Sequence, residues 1–218
     1  MTDTPPSPRG PGDRTESDPS DEELMMKVRD GEVGELGPLF ERHHSRLYQF
    51  CLRMTGAPAL AEDLVQEVFH RMLRYRHTFR GDSSFLPWMY RMARNACADH
   101  YRRTGGDEPL GEREENRAHQ EADALARLEE TEAVSLLRQA LLELPFDKRE
   151  VLVLSRFEAR RYQEIAALLD CSVGAVKVRV HRAIGELRAT YLRLLAAAEA
   201  GNLAGPNLRS ATLEGPTP

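Results

Sequence analysis

Five side chains near the C-terminal end of the chain have types that suit contact with nucleic acid. They are Lys177, Val178, Arg179, His181 and Arg182. Helical spacing places them on one strip, with Arg179 at its flank. The opposite face carries apolar residues at steps of three and four, namely Val173, Val176, Val180, Ile184, Leu187 and Tyr191. A basic, donor-rich strip on a helix that is anchored by its other face suits the DNA major groove.

The residues before this helix predict what positions it. A short apolar pattern runs through residues 162–170, and only two residues separate it from Val173. Ser172 can cap the second helix by accepting a backbone N–H bond. Two helices joined so closely predict a helix-turn-helix. Charge alone would favour an ordinary solvated helix surface, but the spacing, the cap and the segregated basic strip together favour DNA binding.

A second candidate region combines a loop with the helices on either side of it. Residues 74–84 (RYRHTFRGDSS) are basic and aromatic, as in proteins that stack single-stranded bases on rings and pair phosphates with arginines. Such loops also occur without that role. The preceding helix, predicted over 59–75, has an outward strip of Asp63, Gln66 and Glu67, which on its own would be a solvated surface matched to the helix dipole. A helix predicted over 85–103 follows, with a cap at Ser83 or Ser84.

Charge is strongly segregated along the 218 residues, although the net charge is only −5. Residues 41–103 carry 11 basic and 6 acidic side chains, and residues 145–193 carry 10 and 6. Residues 104–144 between them carry 4 basic and 11 acidic side chains. Two basic blocks separated by an acidic one predict two nucleic-acid-facing modules joined by a linker.

Composition excludes several other classes of protein. No apolar run reaches the length of a membrane span, and the polar, Pro-rich N-terminus lacks the core of a signal peptide. Cys51, Cys97 and Cys171 are odd in number and widely spaced, which favours free thiols in the cytosol. His43 and His44 have no partners with zinc-ligand spacing, so we expect no metal and no cofactor. A Gly-rich phosphate loop and a nucleophile motif are also missing, so catalysis is not expected.

The hydrophobic pattern predicts an all-α protein of two small helical domains joined by a flexible acidic linker. Helices are expected from Ser20–Asp21, over 36–54, 59–75 and 85–103, up to Pro145, over 150–157 and in the helix-turn-helix. The predicted divisions are a disordered tail (1–19), a first domain (20–103), the linker (104–130), a second domain (131–193) and a C-terminal tail (194–218). Order is expected to end near Ala198.

Three motifs in order resemble the extracytoplasmic-function sigma factors, the small two-domain members of the sigma-70 family of bacterial transcription initiation factors. They are AEDLVQEVF (61–69), FRGDSSFLPWMYRMARNACADHYRR (79–103) and LPFDKREVLVLSRFEARRYQEIAALLDCSVGAVKVRVHRAIGELR (144–188). The resemblance covers about residues 20–192. It implies that the first domain is region 2, which binds the polymerase clamp and the −10 promoter element. The second is then region 4, which binds the −35 element and the polymerase flap.

The resemblance also implies which residues make these contacts. For the core polymerase they are Asp63, Leu64, Gln66, Glu67 and Phe69. For the −10 strand they are Arg71, Phe79, Arg80, Asp82, Ser83, Tyr90, Arg91 and Asn95. For the −35 element they are Ser172, Lys177, Val178, Arg179, His181 and Arg182. The implied partners are core RNA polymerase, promoter DNA and an anti-sigma factor, with action in the cytoplasm and no membrane insertion.

Two departures from the family pattern affect these expectations. Arg160 and Arg161 stand where small or capping residues are usual, so either the first helix of the motif lacks a side-chain cap or the arginines contact phosphate. Val178 stands at an often polar position and offers only apolar contact, for instance to a thymine methyl group. In the linker, we hypothesise that Glu112, Glu114 and Glu115 help the chain to occupy a nucleic-acid path in the polymerase.

One competing function is a stand-alone regulator that binds duplex DNA through its helix-turn-helix. Its N-terminal part would then sense a ligand or dimerise. The block from 61 to 103 separates the two hypotheses, because a sensor domain has no need of a basic aromatic loop beside an acidic helix strip. Co-purification with core polymerase would distinguish them by experiment.

Overall fold

The computed structural model describes residues 18–104 and 132–203, and these ranges form helices and turns without any strand. The helices are α1 (Asp21–Asp30), α2 (Leu36–Thr55), α3 (Pro58–Arg74), α4 (Phe85–Arg103), α5 (Glu132–Glu143), α6 (Phe146–Leu152), α7 (Tyr162–Leu168) and α8 (Val173–Leu203). We call residues 18–104 the N-terminal unit and residues 132–203 the C-terminal unit. The all-α prediction is confirmed. The predictions for residues 1–17, 105–131 and 204–218 lie outside the described residues.

The first helix begins where the sequence predicted. The Ser20 hydroxyl accepts the Glu23 backbone N–H at 3.2 Å, and the Glu23 carboxylate accepts the Ser20 N–H at 2.8 Å. This reciprocal pair satisfies two backbone donors that a helix start leaves free. Gly31 ends the helix with a φ of 113°, a left-handed conformation that favours glycine.

The N-terminal unit is held together by the apolar faces of α1 to α4. Phe50, Met72, Phe85 and Met89 lie in its core with no measurable exposure. Each such side chain stabilises the fold by about 1.5–3 kcal/mol relative to an exposed one. Of the two histidines of α2, His43 is buried and its Nε2 atom lies 2.7 Å from the Asp21 carboxylate of α1, whereas His44 is exposed.

Helix α4 has the predicted bounds, but the first backbone N–H group of the helix has a different hydrogen-bond acceptor from the one predicted. Ser84 is the N-cap residue and makes no side-chain cap bond. Instead the Glu22 carboxylate of α1 accepts the Phe85 backbone N–H at 2.9 Å. The prediction of a serine cap was therefore wrong. A carboxylate delivered by tertiary packing makes a charge-assisted bond to the same donor, and sequence spacing does not reveal it.

The C-terminal unit packs α5, α6 and α7 against the long helix α8. The helix predicted over 150–157 instead begins at Phe146, just after Pro145, and gives way to a π-helical turn over Val153–Phe157. Val151, Val153 and Leu154 are fully buried through this change of winding. The π turn brings Glu158 to the position where the two units meet.

The buried stripe of α8 differs from the predicted one at one position. Val176, Val180 and Ala183 are buried, whereas Ile184 is 39% exposed. Successive steps of four residues rotate a stripe by about 40° each, so a step of three is needed to return it to the core. Small Ala183 makes that step and is easily overlooked in a hydrophobic pattern.

Helix α8 also continues to Leu203, past the expected domain end at 193 and the expected end of order near Ala198. The run from 194 to 200 (LLAAAEA) consists of strong helix formers, which explains the extension. None of the helices in the two described ranges is long and apolar enough to cross a membrane.

Candidate nucleic-acid interface

The basic strip of α8 faces outward as predicted. Lys177, Arg179, His181 and Arg182 are exposed, and Val178 is 48% exposed. The opposite side of the helix is anchored in the core of the C-terminal unit. The strip therefore faces solvent on a helix that the core holds in place, which is the condition for a helix to enter the major groove.

Two capping interactions fix the helix-turn-helix. The Ser172 hydroxyl accepts the Ala175 backbone N–H at 3.1 Å, which confirms the predicted cap of α8. At the start of α7, the Glu164 carboxylate accepts the Arg161 backbone N–H at 2.7 Å. The N-cap residue Arg161 itself makes no side-chain cap bond, as one of the two alternatives expected, and Glu164 bonds the N-cap backbone instead. Between the helices, Asp170 has a φ of 48°, a left-handed residue in the turn.

A second basic surface is a cleft of about 640 Å³ in the N-terminal unit, between α3, the turn after it and α4. It is lined by Glu67, His70, Arg71, Arg74, Tyr75, Thr78, Trp88, Arg91, Met92, Asn95, Asp99 and Arg102. The lining combines guanidinium groups, an amide and two large aromatic rings. Such a surface can pair with phosphates and stack bases.

An ion-pair network organises the cleft floor. Arg71 donates to Glu67 at 2.6 Å and to Asp99 at 2.9 Å, and Asp99 also accepts from Arg102. The hydrogen bond from Arg71 lowers the pKa of Glu67. Burial raises the pKa of Asp99, but the bonds from Arg71 and Arg102 outweigh it and leave the pKa below its ordinary value. Both groups are therefore carboxylates at neutral pH and hold Arg71 in place.

The structure brings together some of the predicted −10 residues and separates others. Arg71, Arg91 and Asn95 line the cleft. Arg80 and Asp82 lie exposed on the loop before α4, beside half-buried Ser83.

Two of the predicted −10 residues lie inside the protein. Phe79 and Tyr90 are each 1% exposed. Phe79 packs against the Phe85 and Trp88 rings, and the Tyr90 ring packs edge-on against Phe50. In this conformation neither side chain is accessible to a base.

Trp88 lies at the boundary between the core and the cleft. Its place on the apolar stripe of α4 would by itself predict a core position. The ring packs against the core on one side but lines the cleft on the other, and its Nε1 lies 3.4 Å from the Thr78 hydroxyl oxygen. The preference of large amphipathic rings for such boundaries is the signal that could have identified it.

Only part of the outward strip of α3 is accessible to a partner molecule. Asp63 and Gln66 are exposed, and Glu67 is half-buried in its pair with Arg71. Leu64 and Phe69 are buried, at 4% and 6% exposure. Beside this strip Phe40 of α2 is 41% exposed and packs on Phe69 with the ring centroids 4.9 Å apart. Phe40 was not among the predicted residues.

A metal site does not arise in the part of the chain that the structure covers. Across residues 18–104 and 132–203, no group of three or more His, Cys, Asp or Glu side chains is placed to hold an ion. Cys51 and Cys97 are buried free thiols, and Cys171 is half-buried.

Comparison with known proteins places both surfaces in matched regions. Residues 39–106 match the family described as Sigma-70 region 2, and residues 135–187 match Sigma-70, region 4. The RNA polymerase sigma factor CarQ of Myxococcus xanthus is 35% identical, over 75% of this chain and 93% of its own length. The ECF RNA polymerase sigma factor SigW of Bacillus subtilis is 31% identical, over 76% and 96%.

Solved structures agree in fold. The structure of CnrH in complex with the cytosolic domain of CnrY has a TM-score of 0.61 and 28% identity, covering 81% of this chain and 97% of that one. The sigma factor RpoE of Bartonella quintana, solved with the anti-sigma factor NepR, has a TM-score of 0.52 and 22% identity, over 75% and 96%. At 22% identity, the similarity to RpoE supports the fold alone.

Proposed function

The chain belongs to the extracytoplasmic-function group of the sigma-70 family of RNA polymerase sigma factors, and we propose that its two basic surfaces bind the two elements of a promoter. As a sigma factor, the protein directs promoter-specific initiation of transcription. The observation that carries the proposal is that each matched region holds one outward basic surface. These are the cleft within 39–106 and the α8 strip within 135–187.

We assign the α8 strip to the −35 element. Lys177, Arg179 and Arg182 can pair with phosphates or guanine edges, and His181 can donate to either. Val178 offers an apolar contact, which suits a thymine methyl group. Ser172 acts through the helix cap, so its effect on DNA is indirect.

We assign the cleft to the unpaired non-template strand of the −10 element. Unstacking a base costs a few kcal/mol, and a stacking surface beside phosphate-binding groups offsets that cost. Trp88 and Tyr75 supply the stacking surfaces, while Arg91 and Asn95 supply donors. Phe79 and Tyr90 then support the cleft from within the core.

The polymerase-binding surface is proposed on the outer side of α3. Asp63 and Gln66 are its exposed polar members, and exposed Phe40 adds an apolar contact next to them. Leu64 and Phe69 contribute by holding α3 and α2 together rather than by direct contact. This combination of an aromatic centre with a polar edge is typical of protein interfaces.

Further partners and the setting are proposed from the relatives. CnrH was solved with the cytosolic domain of CnrY, and we propose that this chain likewise binds a regulatory anti-sigma protein. We also propose that the protein works in the cytoplasm without catalysis of its own. The domain limits proposed from the sequence, 20–103 and 131–193, each enclose one of the two surfaces.

Run-off transcription with purified core polymerase on a promoter library tests the function directly. We expect RNA synthesis from a defined subset of promoters only when the protein is added. A stand-alone regulator would bind duplex DNA but would neither co-purify with core polymerase nor start transcription in its presence.

The −35 assignment is tested by Lys177→Ala, with Lys27→Ala on α1 as the control. Losing one phosphate contact to duplex DNA reduces the slope of log affinity against log salt by about 0.9. We expect that change for the Lys177 variant and none for the Lys27 variant, measured on a −35 duplex. Equal slopes for both variants would refute the assignment.

A further inference from the structure

Helix α1 holds the loop that precedes α4 at two points. The Glu22 carboxylate of α1 accepts the Phe85 backbone N–H at 2.9 Å, at the end of the loop. Met26 lies four residues further along α1, on the same face of the helix. Its Sδ and Cε atoms lie over Gly81, where an added Cβ atom would be 3.2 Å from each of them. One face of α1 therefore contacts both ends of the segment 81–85.

Helix α1 is anchored independently of this loop, so it can serve as a fixed support. Leu24, Met25 and Val28 are buried in the core of the N-terminal unit. The Asp21 carboxylate at the start of α1 lies 2.7 Å from the His43 Nε2 atom of α2. These contacts fix α1 relative to α2, and none of them involves the residues before α4.

The residues between these contacts project outward and bond mainly to one another. We call residues 80–84 the α4 loop; buried Phe79 anchors its start. The side chains of Arg80 and Asp82 are 77% and 71% exposed and form an ion pair with each other at 3.4 Å. The Ser83 N–H donates to the Arg80 carbonyl at 2.9 Å, which closes a turn. These bonds shape the loop but do not fix it relative to the rest of the unit.

The α4 loop lies beside the cleft and carries groups that can read a base. Thr78 and Trp88, which flank the loop in the chain, both line the cleft. Arg80 supplies donors, Asp82 supplies acceptors, and the Ser83 hydroxyl can do either. Reading a base edge with such groups requires them to lie within about 0.5 Å of their productive positions. A loop that is free to shift would therefore lose base selectivity while it keeps its charges.

The bond from Glu22 differs in its consequence from an ordinary helix cap. A capping serine at position 84 would satisfy the first N–H groups of α4 without tying the loop to another helix. Ser84 makes no side-chain cap bond, and the Glu22 carboxylate of α1 takes that place. A carboxylate at a helix N-terminus is also favoured by the helix dipole. The start of α4 and the end of the α4 loop are thus positioned by α1.

We propose that Glu22 and Met26 are positioning residues that set base selectivity at the −10 element by fixing the α4 loop. The proposal rests on the proposed binding of the −10 strand by this part of the N-terminal unit. Both residues act through the loop and not by contact with the strand. Both also precede residue 39, where the match to Sigma-70 region 2 begins. The selectivity of the site then depends on a helix outside the matched region.

The effect of freeing the loop should depend on the sequence of the strand. A strand with the matching base must meet an ordered loop, whereas a strand with a wrong base is held by the stacking and phosphate contacts of the cleft alone. Losing one charge-assisted hydrogen bond shifts an equilibrium by about ten- to a hundredfold. Because apparent affinity falls with the competent fraction, we expect Glu22→Ala to weaken the matched strand about tenfold and the mismatched strand less than about twofold.

The test uses polymerase reconstituted with the full chain and labelled non-template −10 oligonucleotides in which each base is varied in turn. Fluorescence anisotropy gives the ratio of matched to mismatched affinity at each position. Glu22→Ala should lower that ratio at the positions read by the α4 loop, and Glu22→Gln, which keeps an acceptor oxygen, should restore most of it. The control is Glu23→Ala, because the Glu23 carboxylate bonds the Ser20 N–H at 2.8 Å and caps α1 itself. It weakens the same helix without removing a bond to the loop.

The Met26 contact is tested by a double-mutant cycle. Gly81→Ala adds a Cβ atom 3.2 Å from the Met26 Sδ and Cε atoms, so either the side chain or the loop must shift by a few tenths of an ångström. Met26→Ala removes those atoms and the support that they give. Residues in contact show non-additive effects, so the two changes together should lower the affinity ratio by less than the product of the single effects. Fully multiplicative effects would show that Met26 does not position the loop.

The outcomes separate this proposal from the proposed function. Equal losses for matched and mismatched strands in Glu22→Ala, or the same change of ratio in Glu23→Ala, would show that Glu22 only stabilises the unit. Amide hydrogen exchange of the free protein is the independent measurement. The Phe85 N–H and the amides of 81–84 should exchange faster in Glu22→Ala and near the wild-type rate in Glu22→Gln, and unchanged exchange in Glu22→Ala would overturn the proposal. If wild-type polymerase bound every −10 oligonucleotide equally, the −10 assignment would be wrong, whereas exchange would still decide whether Glu22 holds the loop.

Discussion

Arg91 offers the sharpest test of the cleft as a nucleic-acid site. It is exposed on α4 and lines the cleft, and no ion pair joins it to another described residue. Arg71, by contrast, is compensated by Glu67 and Asp99. A strand phosphate entering the cleft therefore meets a free positive charge at Arg91. Arg91→Gln removes that charge and keeps a polar side chain of similar reach.

The expected loss follows from counterion release. Each phosphate contact to a single strand contributes about 0.7 to the slope of log affinity against log salt. If Arg91 makes one such contact and nothing else changes, affinity at about 0.1 M salt falls roughly fivefold, and the loss vanishes near 1 M. Arg91 is exposed and makes no ion pair with other described residues, so the free energy of unfolding should change by no more than about 0.5 kcal/mol.

The assay is fluorescence anisotropy of a labelled non-template −10 oligonucleotide with polymerase reconstituted with the protein, titrated at several salt concentrations. Arg29→Gln is the matched control, because Arg29 lies on α1 in an ion pair with Asp30 and outside the cleft. We expect a reduced slope for Arg91→Gln alone. A slope equal to wild type, or an equal reduction in the control, would show that the cleft does not hold the strand.

Two further predictions concern stability. Arg149→Met should lower the free energy of unfolding by about 1–3 kcal/mol, because it leaves the carbonyls of Met54, Leu142 and Leu144 without their donor. Urea denaturation measures this, and Arg156→Met, an exposed residue of the same unit, should have little effect. Burial raises the pKa of Glu150 above 4.5, although Arg94 opposes this. Between the unfolded and folded values the folded protein binds more protons, so stability falls as pH rises through that window. Glu150→Gln should abolish this pH-dependent part of the free energy of unfolding. If the free energies of unfolding of wild type and variant change in parallel from about pH 4.5 upward, the prediction is wrong.

The starts and buried faces of individual helices could be predicted from the sequence, because they depend on residues that are close together in the chain. Ser20 with Glu23 predicted the start of α1, and the spacing of Val176 and Val180 against Lys177 and Arg182 predicted which side of α8 is buried. Periodicity and capping act over three or four residues. The strip on α8 therefore needed no knowledge of the rest of the fold.

The cleft was only partly predictable. Motif order grouped Arg71, Arg91 and Asn95, and the structure places all three in the lining of the cleft. Motif order grouped Phe79 and Tyr90 with them, although their rings lie inside the unit. An aromatic residue among arginines has the same local pattern whether it faces solvent or the core. Only the packing of α4 against α2 and α3 decides between the two.

By itself, the sequence determined most of the helices, the caps at Ser20 and Ser172, the two basic blocks and the family, since each of these depends on local spacing and composition. Tertiary structure alone decided how Glu150 and Glu158 are used. Both read as ordinary surface carboxylates in the sequence, yet each is buried against an arginine more than 50 residues away in the chain. Electrostatic pairing depends on distance in space, and no pattern of neighbouring residues encodes which distant charge will be brought within reach.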